Sequence, residues 1–331
     1  MSNKRVLVTG GAGFIGSNLC EDLIKNDNEV VCLDNFSTGS INNILSLTQR
    51  KSFELIVGDI RNLGDCNKAM NGVDIVLHQA ALGSVPRSIN DPITTNSVNI
   101  DGFLNVLVAA RDAKVSRIVY AASSSTYGDS KELPKVEDII GMPLSPYAVT
   151  KYVNELYAHV FGITYGLDII GLRYFNVYGR NQTPNGAYAA VIPKFIQSLM
   201  AHESPVINGD GTNSRDFTYI DNVIQMNNLA ATSTNKEAVG QVFNTAVGER
   251  TTLNMMVDLL QQYLSDFDPE IAEIKMTYGP ERIGDIPHSL ASIDKARHIL
   301  KYNPSHTLEK GLKASVQWYW KSLSALNKDE K

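Results

Sequence analysis

At 331 residues the chain is too long for one small core and suits two domains. Its 43% hydrophobic and 20% charged residues are ordinary for a globular protein, and a net charge of −5 leaves no basic footprint for nucleic acid or an anionic membrane. Cys20, Cys32 and Cys66 form no CxxC pair, and an odd, sparse set reads as reduced, buried thiols of a cytoplasmic protein. The six histidines show no ligand spacing, so no metal site is expected. The chain enters an apolar strand by Arg5, which argues against a cleavable signal peptide, and no apolar run reaches membrane-spanning length.

Short apolar runs alternate with helical stretches through the first half. Arg5–Thr9 reads as a buried strand, Phe14–Asn26 as a helix and Glu29–Asp34 as the next strand. Phe53–Val57, Asp74–His78 and Arg117–Ala121 follow, with helices between them. Near-continuous apolar strands separated by helices predict an α/β fold, a doubly wound parallel sheet covered on both faces. Asp168–Arg173 is a further strand. Arg180–Tyr188 is then polar and rich in Gly, Pro and Asn, which marks a loop and a domain border. Gln241–Asn244 is expected to return to the first sheet. The expected division is 1–178, with 217–248 returning to it, against a smaller discontinuous unit of 179–216 and 249–331.

Val6 to Gly16 gives a strand, a glycine turn and a helix start, with Gly10, Gly13 and Gly16 spaced as GxxGxxG. Gly10 permits the tight turn, Gly13 lets backbone approach a pyrophosphate and Gly16 allows close helix–sheet packing. Asp34 closes the second strand about 20 residues later, where a carboxylate can accept from a ribose 2′-hydroxyl and repel a 2′-phosphate. Asn35 and Phe36 follow it with no Arg, which favours NAD over NADP. Asp59, in Gly58-Asp59-Ile60, could accept from the adenine amino group or serve as a turn or cap residue.

Ser145-Pro146-Tyr147 opens a helix, with Ser145 as N-cap and Pro146 at the first position. Tyr147 and Lys151 are then i and i+4 on one face. A neighbouring ammonium and a positive nicotinamide ring favour a phenolate, which makes Tyr147 a credible general acid/base. Ser123 ends the preceding strand, on the edge that faces the ligand crevice in a doubly wound sheet.

TGGAGFIGSNL, Asp34, Gly58-Asp59-Ile60, the Ser123 strand end and Tyr147-xxx-Lys151 together resemble the extended short-chain dehydrogenase/reductases over essentially the whole chain. The closer resemblance is to UDP-galactose 4-epimerases, especially bacterial UDP-N-acetylglucosamine 4-epimerases of surface-polysaccharide synthesis. His78 to Ser88, Arg173-Tyr174-Phe175-Asn176 and Asn185 to Pro193 carry it. It implies tightly bound NAD that is not consumed, held also by Phe14, Ile15, Ser37, Thr38, Gly39, Ile60, Gln79, Ala80, Ala81, Asn99, Tyr174 and Phe175. Related dehydratases carry Asp-Glu after the catalytic hydroxyl and decarboxylases a Glu. Here Ser124 and Ser125 stand there, which points to an epimerase. The implied chemistry is loss of the C4 proton to Tyr147 with hydride transfer, rotation of the 4-keto sugar, and return of hydride to its other face. Ser123 steadies O4 and Lys151 tunes Tyr147.

The resemblance also implies that Arg215 and Arg282, near Asp285, grip a diphosphate, with Asn176, Ala190, Val191 and Asn208 near it, the uracil or its ribose. Ser289 stands where UDP-galactose enzymes carry a bulky Tyr, and Gly83 where they carry a Lys, so room for a 2-acetamido group is expected. Ser84, Arg87, Ser88 and Ser123–Ser125 could contact the sugar, and could also accept a 6-carboxylate. UDP-uronic acids and UDP-glucose/galactose therefore stay open as substrates, as do other nucleotide-sugar reactions of this scaffold. A non-catalytic NAD sensor could dispense with the acid/base set, which is intact here. Apolar residues on more than one face of helices around 99–113 and 147–161 imply a homodimer.

Overall fold

The computed structural model describes residues 1–185, 189–281 and 286–329. Seven parallel strands form the central sheet: β1 (Arg5–Thr9), β2 (Glu29–Asp34), β3 (Phe53–Val57), β4 (Ile75–His78), β5 (Arg117–Ser123), β6 (Ile169–Tyr174) and β7 (Val242–Thr245), in the order β7-β6-β5-β4-β1-β2-β3. The order reverses between β1 and β4, so their carboxyl ends diverge and leave a crevice, the usual ligand position of such a sheet. β5 runs past the apolar run ending at Ala121 to the Ser123 expected at the strand end, because Ala122 and Ser123 stay in register with Arg173 and Tyr174 of β6.

Alternation along each strand feeds two cores. Leu7, Val31, Leu33, Val76 and Ile118 face one side, packed on Phe103, Val106 and Leu107 of helix α2 (Gly102–Asp112) and on Ala158 and Phe161 of α3 (Pro146–Tyr165). Val6, Val8, Cys32, Leu77 and Val119 face the other, packed on Leu19 and Leu23 of α1 (Phe14–Lys25) and on Val223 and Met226 of α4 (Ile220–Thr232). Each fully buried Leu, Val or Phe contributes about 1.5–3 kcal/mol by leaving water, which is why near-continuous apolar strands are read as sandwiched ones.

α3 begins where the sequence places it. Ser145 Oγ accepts from the Ala148 N–H at 3.1 Å, and Pro146 occupies the first turn. The helix ends on Gly166 in the left-handed region. Outside the sheet, helices Val191–Met200, Leu253–Ser265 and Leu308–Asp329 pack together with short two-stranded pairings. One pairing, Ser214–Arg215 against Thr251–Thr252, fixes the strand that carries Arg215. Cys20, Cys32 and Cys66 are buried and unbridged. Among the described residues no helix is long and apolar enough to cross a membrane.

Candidate active site

A cleft of about 400 Å³ opens at the β1/β4 switch point. Gly10, Gly13, Phe14, Ile15 and Gly16 form its floor at the start of α1. Gly10 has φ +68°, and a Cβ there would lie 2.7 Å from the Ala80 nitrogen; at Gly16 it would lie 2.1 Å from the Gly10 carbonyl oxygen. The turn is therefore closed to any side chain, and the first amides of α1 face the cleft, ready for an anion. Asp34 is buried, and its carboxylate accepts from the Ala12 N–H (2.9 Å) and the Phe36 N–H (2.8 Å), which aims it across the turn. Asn35, Ser37 and Thr38 continue that wall; Asp59 and Ile60 close one end, and Gln79, Ala80, Ala81 and Gly83 the other. Asp59 accepts from Asn35 and from the Arg61 guanidinium, which holds its carboxyl down at about 2.

Four expected cofactor residues lie elsewhere than in this wall. Gly39 packs behind the turn, where a Cβ would meet the Ala12 carbonyl carbon at 2.8 Å. Asn99 is fully buried and turned away, its amide engaged by the Leu82 backbone (2.8 and 3.2 Å) and Thr150 Oγ1 (3.1 Å); it clamps the loop after β4 to α3. Tyr174 closes a ring of hydrogen bonds with Gln79 (3.1 Å) and Asn227 (2.9 Å), while Gln79 donates to Asn227 (3.3 Å). Phe175 belongs to the neighbouring pocket. Sequence reasoning missed Asn227 and Gln182. Gln182 lines the cleft from a loop 166 residues beyond Gly16, and nothing local to it signals that.

Next to the cleft, β5 delivers Ser123 to the base of α3. Ser123 Oγ accepts from the Ser125 N–H (3.1 Å) and the Ser125 hydroxyl (2.9 Å). Tyr147 also bonds to Ser123, and that bond lowers its phenol, but burial is the larger effect and the net direction is upward. The Lys151 Nζ lies 6.0 Å from the Tyr147 ring centre and donates to the Ala121 carbonyl at 2.7 Å. Burial pulls Lys151 down to about 8. The neighbouring ammonium therefore does not by itself make Tyr147 a phenolate, contrary to the simplest reading of YxxxK.

Two more cavities adjoin each other. One of about 330 Å³ gathers Ser123, Ser124, Ser125, Phe175, Asn176, Arg215 and Ser289, joined by Lys135, Tyr127 and His288, which the sequence did not single out. The other, about 290 Å³, is lined by Asn176, Ala190, Val191, Asn208 and Arg215, with Phe217 beside them. Asn176 and Arg215 belong to both. Ser289 is held against the Arg215 strand, its N–H donating to the Ser214 carbonyl at 3.0 Å. Ser84 and Arg87 do not line the first cavity; Val85 and Pro86 do. Ser84 instead caps a short helix, accepting from the Arg87 N–H (3.2 Å) at φ 141°, a strained value for a non-glycine residue, and Ser88 is buried within that helix. Arg87 faces the outer mouth beside Gln182 and Asn185. Arg282 and Asp285 lie outside the described residues.

A glycine turn at a switch point, a carboxylate across it and a Ser, Tyr and Lys gathered at the adjoining strand end define a dinucleotide-dependent enzyme of Rossmann type. The chain belongs to the NAD dependent epimerase/dehydratase family, whose model matches residues 6–246. It is 35% identical to a putative UDP-glucose 4-epimerase of Methanocaldococcus jannaschii over 95% of this chain and 97% of that one. A UDP-N-acetylglucosamine 4-epimerase of Methanobrevibacter ruminantium, solved with UDP-N-acetylmuramic acid, shares 38% identity with a TM-score of 0.91, covering 97% of this chain and 100% of its own. A UDP-glucuronic acid 4-epimerase of Bacillus cereus, solved with UDP-glucuronic acid and NAD, shares 32% identity with a TM-score of 0.86, covering 96% and 99%. Within the family the chain falls with the NAD-dependent UDP-sugar 4-epimerases, which are isomerases.

Proposed function

We propose that the protein interconverts UDP-N-acetylglucosamine and UDP-N-acetylgalactosamine, with Tyr147 as acid/base. The observation that carries this is the pair of cavities sharing Asn176 and Arg215. The uridine enters the cavity of Ala190, Val191 and Asn208, Arg215 and Asn176 take the diphosphate, and the hexose reaches the serines at β5. A guanidinium suits that middle position because its fork bonds phosphate oxygens bidentately. In this reading residues 179–216 and 249–331 form the UDP-sugar-binding unit, and Arg282 and Asp285 belong to the diphosphate grip.

The cleft fits NAD, with free amides at the start of α1 for the pyrophosphate and Asp34 for the adenosine ribose. When bound, NAD supplies a reversible hydride acceptor and a positive ring. Tyr147 takes the C4 hydroxyl proton and later returns it; Ser123 holds O4 in line, and Lys151 favours the phenolate. Ser289, a small residue in the wall of the sugar cavity, leaves space for a 2-acetamido group. The absence of acids beside Ser123 removes the extra proton donor that elimination at C5–C6 requires.

A second reading, an N-acetylated UDP-hexuronic acid as substrate, is favoured by one observation. No Asp or Glu lines the sugar cavity among the described residues, while the buried Lys135 does. Surface-polysaccharide synthesis is the role either substrate fits. A homodimer is supported by α3, where Val149, Leu156, Val160 and Ile163 form an exposed apolar stripe beside Ile93, which is 82% exposed. Light scattering reads the oligomeric state.

The deciding experiment follows the anomeric proton of UDP-N-acetylglucosamine by NMR in purified protein with no added NAD. Conversion to UDP-N-acetylgalactosamine establishes epimerisation, the N-acetyl pocket and a retained cofactor together. No conversion with NAD added, alongside turnover of the corresponding uronate, transfers the assignment to the uronic acid.

A further inference from the structure

Tyr147, Lys151 and Glu155 follow one another at i, i+4 and i+8 on the sheet-facing side of α3. Glu155 accepts two hydrogen bonds from Arg173 of β6, from Nε at 2.9 Å and Nη2 at 2.8 Å, with side chains only 7% and 4% exposed. Arg173 Nη1 donates to the Glu137 carbonyl at 2.9 Å, and the guanidinium lies 4.8 Å from the Tyr127 ring centre. Tyr127 in turn donates to Asn244 Oδ1 at 2.6 Å. The carboxylate of Glu155 is thus fixed from several elements at once. Packing alone does not call for such a pair, since apolar residues of similar volume usually do as well or better for stability.

We propose that Glu155 is a positioning residue for the reaction: its buried carboxylate, clamped by Arg173, keeps the Lys151 ammonium charged beside Tyr147. The other groups around Lys151 offer no such anion. His78 of β4 is fully buried and neutral, held down to about 3 by desolvation and then by Lys151. Tyr120 of β5 is pushed well above its ordinary range by burial and stays neutral. Ser123 and the Ala121 carbonyl are dipoles, Tyr147 is a neutral phenol before the cofactor's charge is present, and Arg173 is itself a cation. Burial lowers Lys151, and Glu155 is the group that opposes it. A charge-neutral residue at 155 removes that opposition, so Lys151 loses its proton at lower pH.

The proposal rests on Tyr147 and Lys151 acting as assigned, so its test includes a readout without turnover. In the full-length, NAD-retaining protein, Glu155→Gln is expected to move the alkaline limb of the kcat profile down by about one pH unit, with KM for the UDP-sugar within about two-fold. Glu155→Asp should restore most of the limb. Titration of lysine Nζ by nitrogen NMR, with the Lys151 signal assigned by Lys151→Arg, should show the same downward move in the absence of substrate. Should Glu155→Gln fail to fold, Glu155→Leu with Arg173→Met removes the pair while filling the space; the opposing Arg173 charge leaves with the carboxylate, so a smaller move in the same direction is expected. A uniform fall in kcat at every pH, with the Lys151 titration unmoved, overturns the proposal and leaves the pair a structural brace. A moved titration with no turnover of any UDP-sugar in the unmodified protein instead sinks the functional reading and spares the electrostatic one.

Discussion

Gly16→Ala adds one methyl group at the point where α1 crosses the glycine turn. Its Cβ would stand 2.1 Å from the Gly10 carbonyl oxygen and 2.8 Å from the Gly11 Cα. A relaxed C···O contact is about 3.3 Å, so the helix start and the turn must part by about 1.2 Å. Forcing that into a packed site costs about 1–3 kcal/mol of stability. The same displacement draws the α1 amides away from the pyrophosphate, and an ångström of misplacement at a working site costs about 10²-fold. Purified Gly16→Ala should therefore lose its retained NAD on gel filtration, read by chromatography of the denatured supernatant, and unfold at lower urea. Gly162→Ala is the control. In the last turn of α3 its Cβ would meet only the Leu167 carbonyl, at an ordinary 3.6 Å. The same chemical change there should raise stability by about 0.5–1 kcal/mol, because it removes glycine's backbone freedom from a helix. A Gly16→Ala protein that keeps NAD and its unfolding midpoint refutes the reasoning, as does a Gly162→Ala protein that loses both.

Three further outcomes are expected. Ser289→Tyr should lower kcat/KM for UDP-N-acetylglucosamine by about 10²-fold or more while UDP-glucose stays within about three-fold, because the ring fills the 2-acetamido space; equal losses would remove Ser289 from the specificity argument. Tyr147→Phe should reduce turnover by about 10²–10⁴-fold with NAD still bound, and unchanged turnover excludes Tyr147 as acid/base. His78 is held at about 3 against an ordinary 6.5, so the folded protein takes up fewer protons there than the unfolded chain. Its contribution is complete above pH 6.5 and is lost as pH falls toward 3. Between pH 6.5 and 5.0 the unmodified protein should lose about 1.6 kcal/mol more than His78→Gln, measured by urea denaturation at both pH values.

The parallel sheet could be read almost entirely from the chain itself, because a buried parallel sheet needs apolar strands, helical crossovers and punctuation that local sequence writes directly. The glycine turn, Asp34 and the Ser145 cap are equally local. Each is a short-range geometric demand that only certain residues satisfy: Gly10 at φ +68°, a carboxylate one strand away, a hydroxyl over the first turn of α3. Spacing alone also put Tyr147 and Lys151 on one helical face.

What the sequence could not decide depends on distance in the folded chain. The Asn99 amide looked available for a cofactor, yet packing of α3 gives it Leu82 and Thr150 as partners. Phe175 follows Tyr174 in sequence, and strand alternation sends it into the other cavity. Asn176, Lys135, Arg215 and Ser289 meet only because Ser214–Arg215 pairs with Thr251–Thr252 and Lys135 bridges to Ala291. Electrostatics were the least legible of all. Tyr147 and Lys151 are both shifted chiefly by burial, and Glu155 gains its buried partner only once Arg173 of β6 is brought beneath α3. Local pattern fixes which residues can do the chemistry, while desolvation and long-range contacts, properties of the assembled interior, fix their charge and company.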